Sequence, residues 1–264
     1  MRMAGFTRLD CVLGSAALMR QALVQALHHA QRRTAFNKHL IEHPLMMSVL
    51  VAMALESEAA TLLSMRLAHA LEQAHHSQAR DAEKKASLDA ALVRVVIPAA
   101  KFWVCKRAQQ ITAECLEVWG GNGYIEDSVM PRLYREAPVN SIWEGSANIM
   151  CLESIKAIGR EPEMGRRLLE YLGSKFSQSD AAGQALEQLQ QMMTADEIVP
   201  DSGARRFAQL LVLLVQAALL RESAPELVSQ GFEDEFFRLS GQGAFGLAEL
   251  NPHGNLILER YWPY

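Results

Sequence analysis

From Leu9 to Arg33 the apolar residues Leu9, Val12, Leu13, Ala16, Leu23 and Leu27 recur at helical spacing, which predicts a long first helix with one apolar face. It ends in the basic cluster QRR, cations that suit the negative end of a helix dipole. After the connection TAFNKHLIEHP, Pro44 fits the first turn of a second helix running to about Gln73, with Leu62, Leu63, Met65 and Leu67 on its apolar face. The polar stretch HHSQARDAEKK has no apolar period and reads as an exposed loop. A third helix is predicted from about Ala86 to Trp119, kinked or divided at Pro98, which has no amide proton to give. Turn residues then dominate, until Ile149 to Ile158 reads as a helix stopped by Gly159. Further helical segments are expected over 163–174, 180–195, 202–222 and 224–240, ahead of a glycine-rich tail.

Composition narrows the class. Half of the 264 residues are apolar, enough for a substantial core, and Ala, Leu, Met, Gln and Arg are abundant while β-branched runs are few. The expected fold is all-α, an antiparallel helical bundle over 1–158 followed by a helical extension over 159–264. Cys11, Cys105, Cys115 and Cys151 lack CxxC spacing and read as core residues of a reducing compartment. The apolar segment LLVLLVQAALL reads as a buried helix rather than a membrane span, and MRMAGFTRLD has no leader pattern, so the cytoplasm is the expected location. A formal charge of −4 argues against a surface built wholly for nucleic acid, and the charge is uneven: the segment from Ile155 carries −5, the rest +1.

Chemistry concentrates between Val118 and Met150. The tetrad GGNG lets a backbone turn sharply and approach a ligand, although a plain helix cap explains it as well. It has neither the preceding strand of a dinucleotide fingerprint nor the Lys-Ser/Thr pair of a phosphate loop. Glu144, in SIWEGS between Trp143 and Gly145, is a candidate general base with a pKa raised by apolar surroundings, or else an ordinary surface carboxylate. Arg33 suits an anionic group as a fork-shaped donor, or merely ends a helix. The scattered histidines have no metal-site spacing, so no metal is expected.

Read in order, RRTAFNKHLIEHP, VWGGNGYIEDSVMPRLYRE and SIWEGSANI resemble the C-terminal helical domain of the flavin-dependent acyl-CoA dehydrogenases. The longer matches, GFTRLDCVLGS, PAAKFWVCKR and PRLYREAPVNSIWEGSANIMCLE, resemble its adaptive alkylation-response branch. The resemblance is strong from Met3 to about Ile158 and weaker over the extension, which that branch also carries. It implies a homo-oligomer, dimer or tetramer, in which FAD is shared between subunits. Arg33 matches the arginine that reaches a neighbour's FAD diphosphate, with Phe36 beside it; Glu117 to Gly121, including Gly120, match the segment meeting the adenosine. Ser146, Ala147 and Asn148 match the run closing over flavin phosphate or ribose, while Arg8 and Gly145 match positions at the substrate pocket.

Glu144 matches the family's base, which takes the α-proton of an acyl-CoA thioester while FAD accepts the β-hydride, giving a trans-2-enoyl-CoA. One subfamily places its base on the first helix, where Thr7 stands here. The chain departs from the family at Asn37, usually Gly, at Pro44, often Gln, and at Ala35, often Thr. The family's N-terminal helical and β-domains supply most of the isoalloxazine pocket, so the expectation is a C-terminal portion incomplete for catalysis alone. The competing readings are a DNA-associated alkylation-response protein, which would gather Arg166, Arg167, Arg205 and Arg206 in a basic stripe, and a purely structural helical oligomer.

Overall fold

The computed structural model describes residues 2–76, 87–178, 180–194, 200–238, 244–247 and 251–262. Helix α1, Arg2–Arg32, starts one turn or more before the apolar period does, because Met3 and Phe6 of its first turns are exposed and add nothing to the buried stripe although the backbone is already helical. Its buried face runs through Leu9, Val12, Ala16, Met19, Leu23, the pair Ala26 and Leu27, and Ala30, recurring every three or four residues, as a contact stripe requires. A two-residue hairpin follows: β1 (Thr34–Ala35) pairs antiparallel with β2 (Lys38–His39). Helix α2, Pro44–His76, then returns along α1. Most of the expected polar loop lies outside the described residues.

The third helix is divided just before its proline. A short α3 (Leu88–Ala91), capped by the Ser87 hydroxyl accepting the Ala90 amide, passes through a π turn at Leu92–Val96 into α4, Ile97–Val118. The widened turn lets Pro98 stand in the first turn of a new α segment, where a missing amide proton is harmless. Beyond it come α5 (Gly121–Tyr124), α6 (Met130–Glu136), a 3-10 turn at Ala137–Ser141, and α7, Ala147–Arg160. Helix α7 does not stop at Gly159 as expected. Its end is set by Pro162, which excludes the helical region for Glu161 (φ −136°, ψ 73°).

The extension supplies α8 (Pro162–Gly173), α9 (Ala181–Thr194), α10 (Ala204–Ser223), α11 (Glu226–Glu233) with a closing π turn at Asp234–Arg238, and α12 (Gly254–Glu259). Helix α10 lies against α2, α4, α7 and α9, and Leu211 to Leu220 are all buried. Helices α2 and α10 have the length and apolarity to cross a membrane, but most of each apolar window is buried within the protein. One hydrophobic core runs from Leu9 through α10 to Tyr261, so the two expected segments share an interior. Within it Arg107 of α4 donates two bonds, 2.6 and 2.7 Å, to the Glu56 carboxylate of α2, a buried pair that satisfies both charges. All four cysteines are buried free thiols.

Candidate active site

The candidate residues lie at opposite ends of α1. At its C-terminal end, Phe36 and Asn37 form the two-residue turn of the hairpin with φ of 51° and 64°, the paired left-handed conformation of a type I′ turn. Asn tolerates this conformation better than other non-glycine residues, so Asn37 answers the same backbone demand as the glycine usual in the family. The turn thrusts Phe36 into solvent, 91% exposed, beside exposed Arg33. It is braced by the Leu40 amide donating to Arg33 O (2.9 Å), by His43 Nε2 at 3.0 Å from Ala35 O, and by the His39 amide donating to the Glu42 carboxylate (2.6 Å).

The GGNG turn sits at the same end. Trp119 stacks on His29 of α1, ring centroids 4.6 Å apart, and its indole donates to Gln25 O (3.2 Å). Gly120 has φ 59° and ends α4, with exposed Glu117 one turn earlier. A side chain on Gly120 or Gly121 would meet open space, whereas a Cβ on Gly123 would fall 2.2 Å from Leu116 O. Gly123 is therefore needed for packing, and Gly120 and Gly121 leave the backbone open to an approaching ligand.

Glu144 belongs to the other end. The 3-10 turn leads into a loop in which Glu144 (φ 58°) and Gly145 (φ 114°) are both left-handed, and a Cβ on Gly145 would lie 2.4 Å from Met150 Cε. Thr7 Oγ1 donates to Glu144 Oε2 (2.9 Å) and Arg8 Nε to the Glu144 carbonyl (3.2 Å). The position that carries the base in one subfamily thus touches the carboxylate itself. Glu144 is exposed in this chain, as is Trp143, so the apolar enclosure expected from the sequence is not provided by its flanking residues. The Arg8 guanidinium also grips the Glu153 carboxylate of α7, and both line a cavity of about 520 Å³. Its floor is Leu71, Val93, Ile97 and Pro98, and Arg94, Lys156 and Arg160 supply positive charge.

Ser146 is the N-cap residue of α7 and its hydroxyl makes no capping bond; Asn148, two residues on in the first turn, accepts from Arg205 Nε of the extension (2.8 Å). Sequence reasoning missed that contact and a larger one: buried Lys101 of α4 donates to Asn140 O (3.1 Å) and Gly145 O (2.8 Å), beneath the Glu144 loop. The available signal was a lysine on the apolar face of PAAKFWVCKR, one turn from Ile97 and from Cys105. The proposed basic stripe is not assembled. Arg166 and Arg167 are paired with Glu163 and Glu170 of their own helix, while Arg205 and Arg206 engage Asn148 and Gln188.

The two groups of residues are far apart. Thr7 to Arg32 is twenty-five residues of one helix, about 38 Å at 1.5 Å per residue.

A family model described as acyl-CoA dehydrogenase, C-terminal domain, matches residues 1–159. AidB of Escherichia coli (strain K12), assigned to the acyl-CoA dehydrogenases, is 42% identical over 229 residues, taking in 86% of this chain and 40% of that protein. Acyl-CoA dehydrogenase family member 11 of Caenorhabditis elegans is 27% identical over 242 residues, 85% of this chain and 38% of its own. Among solved structures, Caenorhabditis elegans ACDH-11 in complex with C11-CoA superposes with a TM-score of 0.75 at 25% identity, over 88% of this chain and 42% of that one. An acyl-CoA dehydrogenase from Bacillus anthracis complexed with FAD shares the fold, TM-score 0.69 at 17% identity, over 98% and 49%. The chain spans about two fifths of the length of these curated relatives.

Proposed function

The chain belongs to the acyl-CoA dehydrogenase family by its C-terminal domain, and from that premise we propose that it supplies the base-bearing and subunit-bridging parts of a flavin site that dehydrogenates an acyl-CoA thioester. The observation that carries this is the loop at Glu144. Its carboxylate is oriented by Thr7, its backbone is tied by Arg8 and Lys101, and Gly145 lets the loop turn against the Met150 side chain, where a Cβ would clash. A carboxylate so held can take the acidic α-proton of a thioester, and Arg8 sets the angle at which it does so. The residues fit FAD at two places: exposed Arg33 offers a forked donor to a diphosphate beside the open backbone of Gly120 and Gly121, and Ser146 leads the amides of α7. Phe36 and Glu117 flank the first place, Asn148 the second. FAD, when bound, accepts the β-hydride. With two such places about 38 Å apart along one helix, we take the working unit to be a homo-oligomer, and the four free thiols suit the cytoplasm.

The test is a chimera in which this chain replaces the matching C-terminal segment of the Escherichia coli relative. Flavin bleaching by a series of acyl-CoA thioesters is expected in the parent, and Glu144→Gln should slow it by about 10²–10⁴-fold with flavin content unchanged. Equal rates for the two would remove Glu144 as the base. For the isolated chain, FAD titration followed by flavin fluorescence asks whether this half retains cofactor by itself.

A further inference from the structure

Lys101 is 1% exposed on α4, among Ile97, Ala100, Val104 and Cys105, yet its ammonium faces no carboxylate at ion-pair distance among the described residues. Its hydrogen-bond partners are two backbone carbonyls, Asn140 O and Gly145 O. A cation buried in this manner is expensive to desolvate, and an apolar side chain would fill the same volume without that penalty. Burial holds its pKa below the ordinary lysine value. The cost is offset by what the two carbonyls do: one closes the 3-10 turn before Glu144, the other immediately follows Glu144 and precedes the N-cap of α7.

We propose that Lys101 is a positioning residue, whose ammonium clamps both ends of the 140–145 loop and so keeps Glu144 in its left-handed conformation with the carboxylate on Thr7. The loop needs such a clamp. Glu144 at φ 58° lies in a conformation that costs an L residue about 1–2 kcal/mol, and neither Ile142, Trp143 nor Glu144 is buried to hold it by packing. Arg8 fixes the Glu144 carbonyl from the α1 side, and Lys101 fixes the next carbonyl from beneath. With Lys101 gone, residues 142–145 are free to relax toward ordinary φ values, turning the carboxylate away from Thr7.

The clamp is independent of the assigned chemistry, whereas its positioning role rests on Glu144 being the base. Lys101→Met keeps the volume and removes the donors; Lys101→Gln keeps a shorter N–H donor. In the 264-residue chain, hydrogen exchange of the Ile142 and Trp143 amides, both donated to Val139 O, should quicken at least about tenfold in Lys101→Met and less in Lys101→Gln, with amides in the middle of α1 and α4 unchanged. Unchanged exchange at these two amides in a folded Lys101→Met overturns the clamp. In the chimera, kcat should fall by roughly 10–100-fold with KM for the thioester within about threefold, the pattern of a lost alignment rather than lost binding. A loosened loop with kcat unaffected, while Glu144→Gln is inactive, overturns positioning. If Glu144→Gln is fully active, the base assignment fails and the positioning role with it, while the exchange result still decides the clamp. Should Lys101→Met not fold, the Lys101→Gln pair of measurements is decisive on the same criteria.

Discussion

At the residue scale, two glycines three positions apart make opposite demands. Gly123 has no room for a Cβ against Leu116 O, and Gly120 has room but a backbone, φ 59° and ψ −144°, that disfavours any side chain. Gly123→Ala should therefore cost more than about 2 kcal/mol, because backbone must move, and Gly120→Ala about 1–3 kcal/mol, for conformation alone, since φ 59° with ψ −144° is a region that glycine alone adopts readily; urea denaturation would read both, and a loss under about 1 kcal/mol for Gly123→Ala would refute the packing argument. The buried thiols give a pH dependence whose sign follows from their shifts. Burial raises Cys105 from 9.0 to about 11, and Cys151 likewise, so the folded state keeps its protons longer than the unfolded chain. Their stabilisation is complete below pH 9 and is lost as pH rises from 9 towards 11, about 3 kcal/mol at most for Cys105. Lys101, lowered by burial, acts in the opposite direction. Unfolding midpoints under reducing conditions should thus fall between pH 8.5 and about 10.5, and Cys105→Ala should show a shallower fall than the parent; identical slopes would exclude Cys105. Lys101 illustrates what a sequence hides: the type of residue is visible, but whether it snorkels to water or reaches two carbonyls depends on a loop thirty-nine positions later.

At the scale of elements, most of the bundle was legible because α1 buries a recurring stripe, which leaves a period, and because α2, α4 and α10 carry long apolar runs that are buried all round. The hairpin turn at Phe36 and Asn37 was not: two-residue strands leave no alternation, and Phe is an unfavourable residue at positive φ, held here by the Arg33 and His43 contacts. Ends were less legible than middles. Helix α1 begins at Arg2 with Met3 and Phe6 exposed ahead of its buried stripe, and α7 carries Gly159 inside it because the stop is imposed from Glu161 and Pro162. Pro98 was expected to kink or divide a helix, and the π turn before it absorbs the disruption. Because the widened turn already accommodates the missing donor, Pro98→Ala should alter stability by less than about 1 kcal/mol, against the roughly 3 kcal/mol of a proline within a regular helix. A gain or loss of several kcal/mol in chemical denaturation would mean that the π turn is a response to the proline, rather than a property of the packing of Leu92, Val95 and Val96 in the core.

At the scale of the whole molecule, the extension is joined to the bundle through α10 and through Arg205 on Asn148, so the interior does not divide where the family model ends. The separation of the candidate residues has a sharper consequence. Arg33 and Phe36 stand at one end of α1 and Glu144 at the other, about 38 Å away, too far for one flavin to meet both within one chain. If each flavin takes its Arg33 from one subunit and its Glu144 from another, two inactivating changes placed on different chains complement each other. In the chimera, Arg33→Ala and Glu144→Gln should each be impaired. Unfolding and reassembling them together in equal amounts gives heterodimers as about half of all dimers by random pairing. Each heterodimer has one site with both residues intact and one with neither, so activity should return to about a quarter of the parent's. Mixing after assembly should restore nothing unless subunits exchange. A site contained within one chain gives no recovery under either protocol, and that result would discard the bridging role of Arg33 while leaving the Glu144 loop untouched.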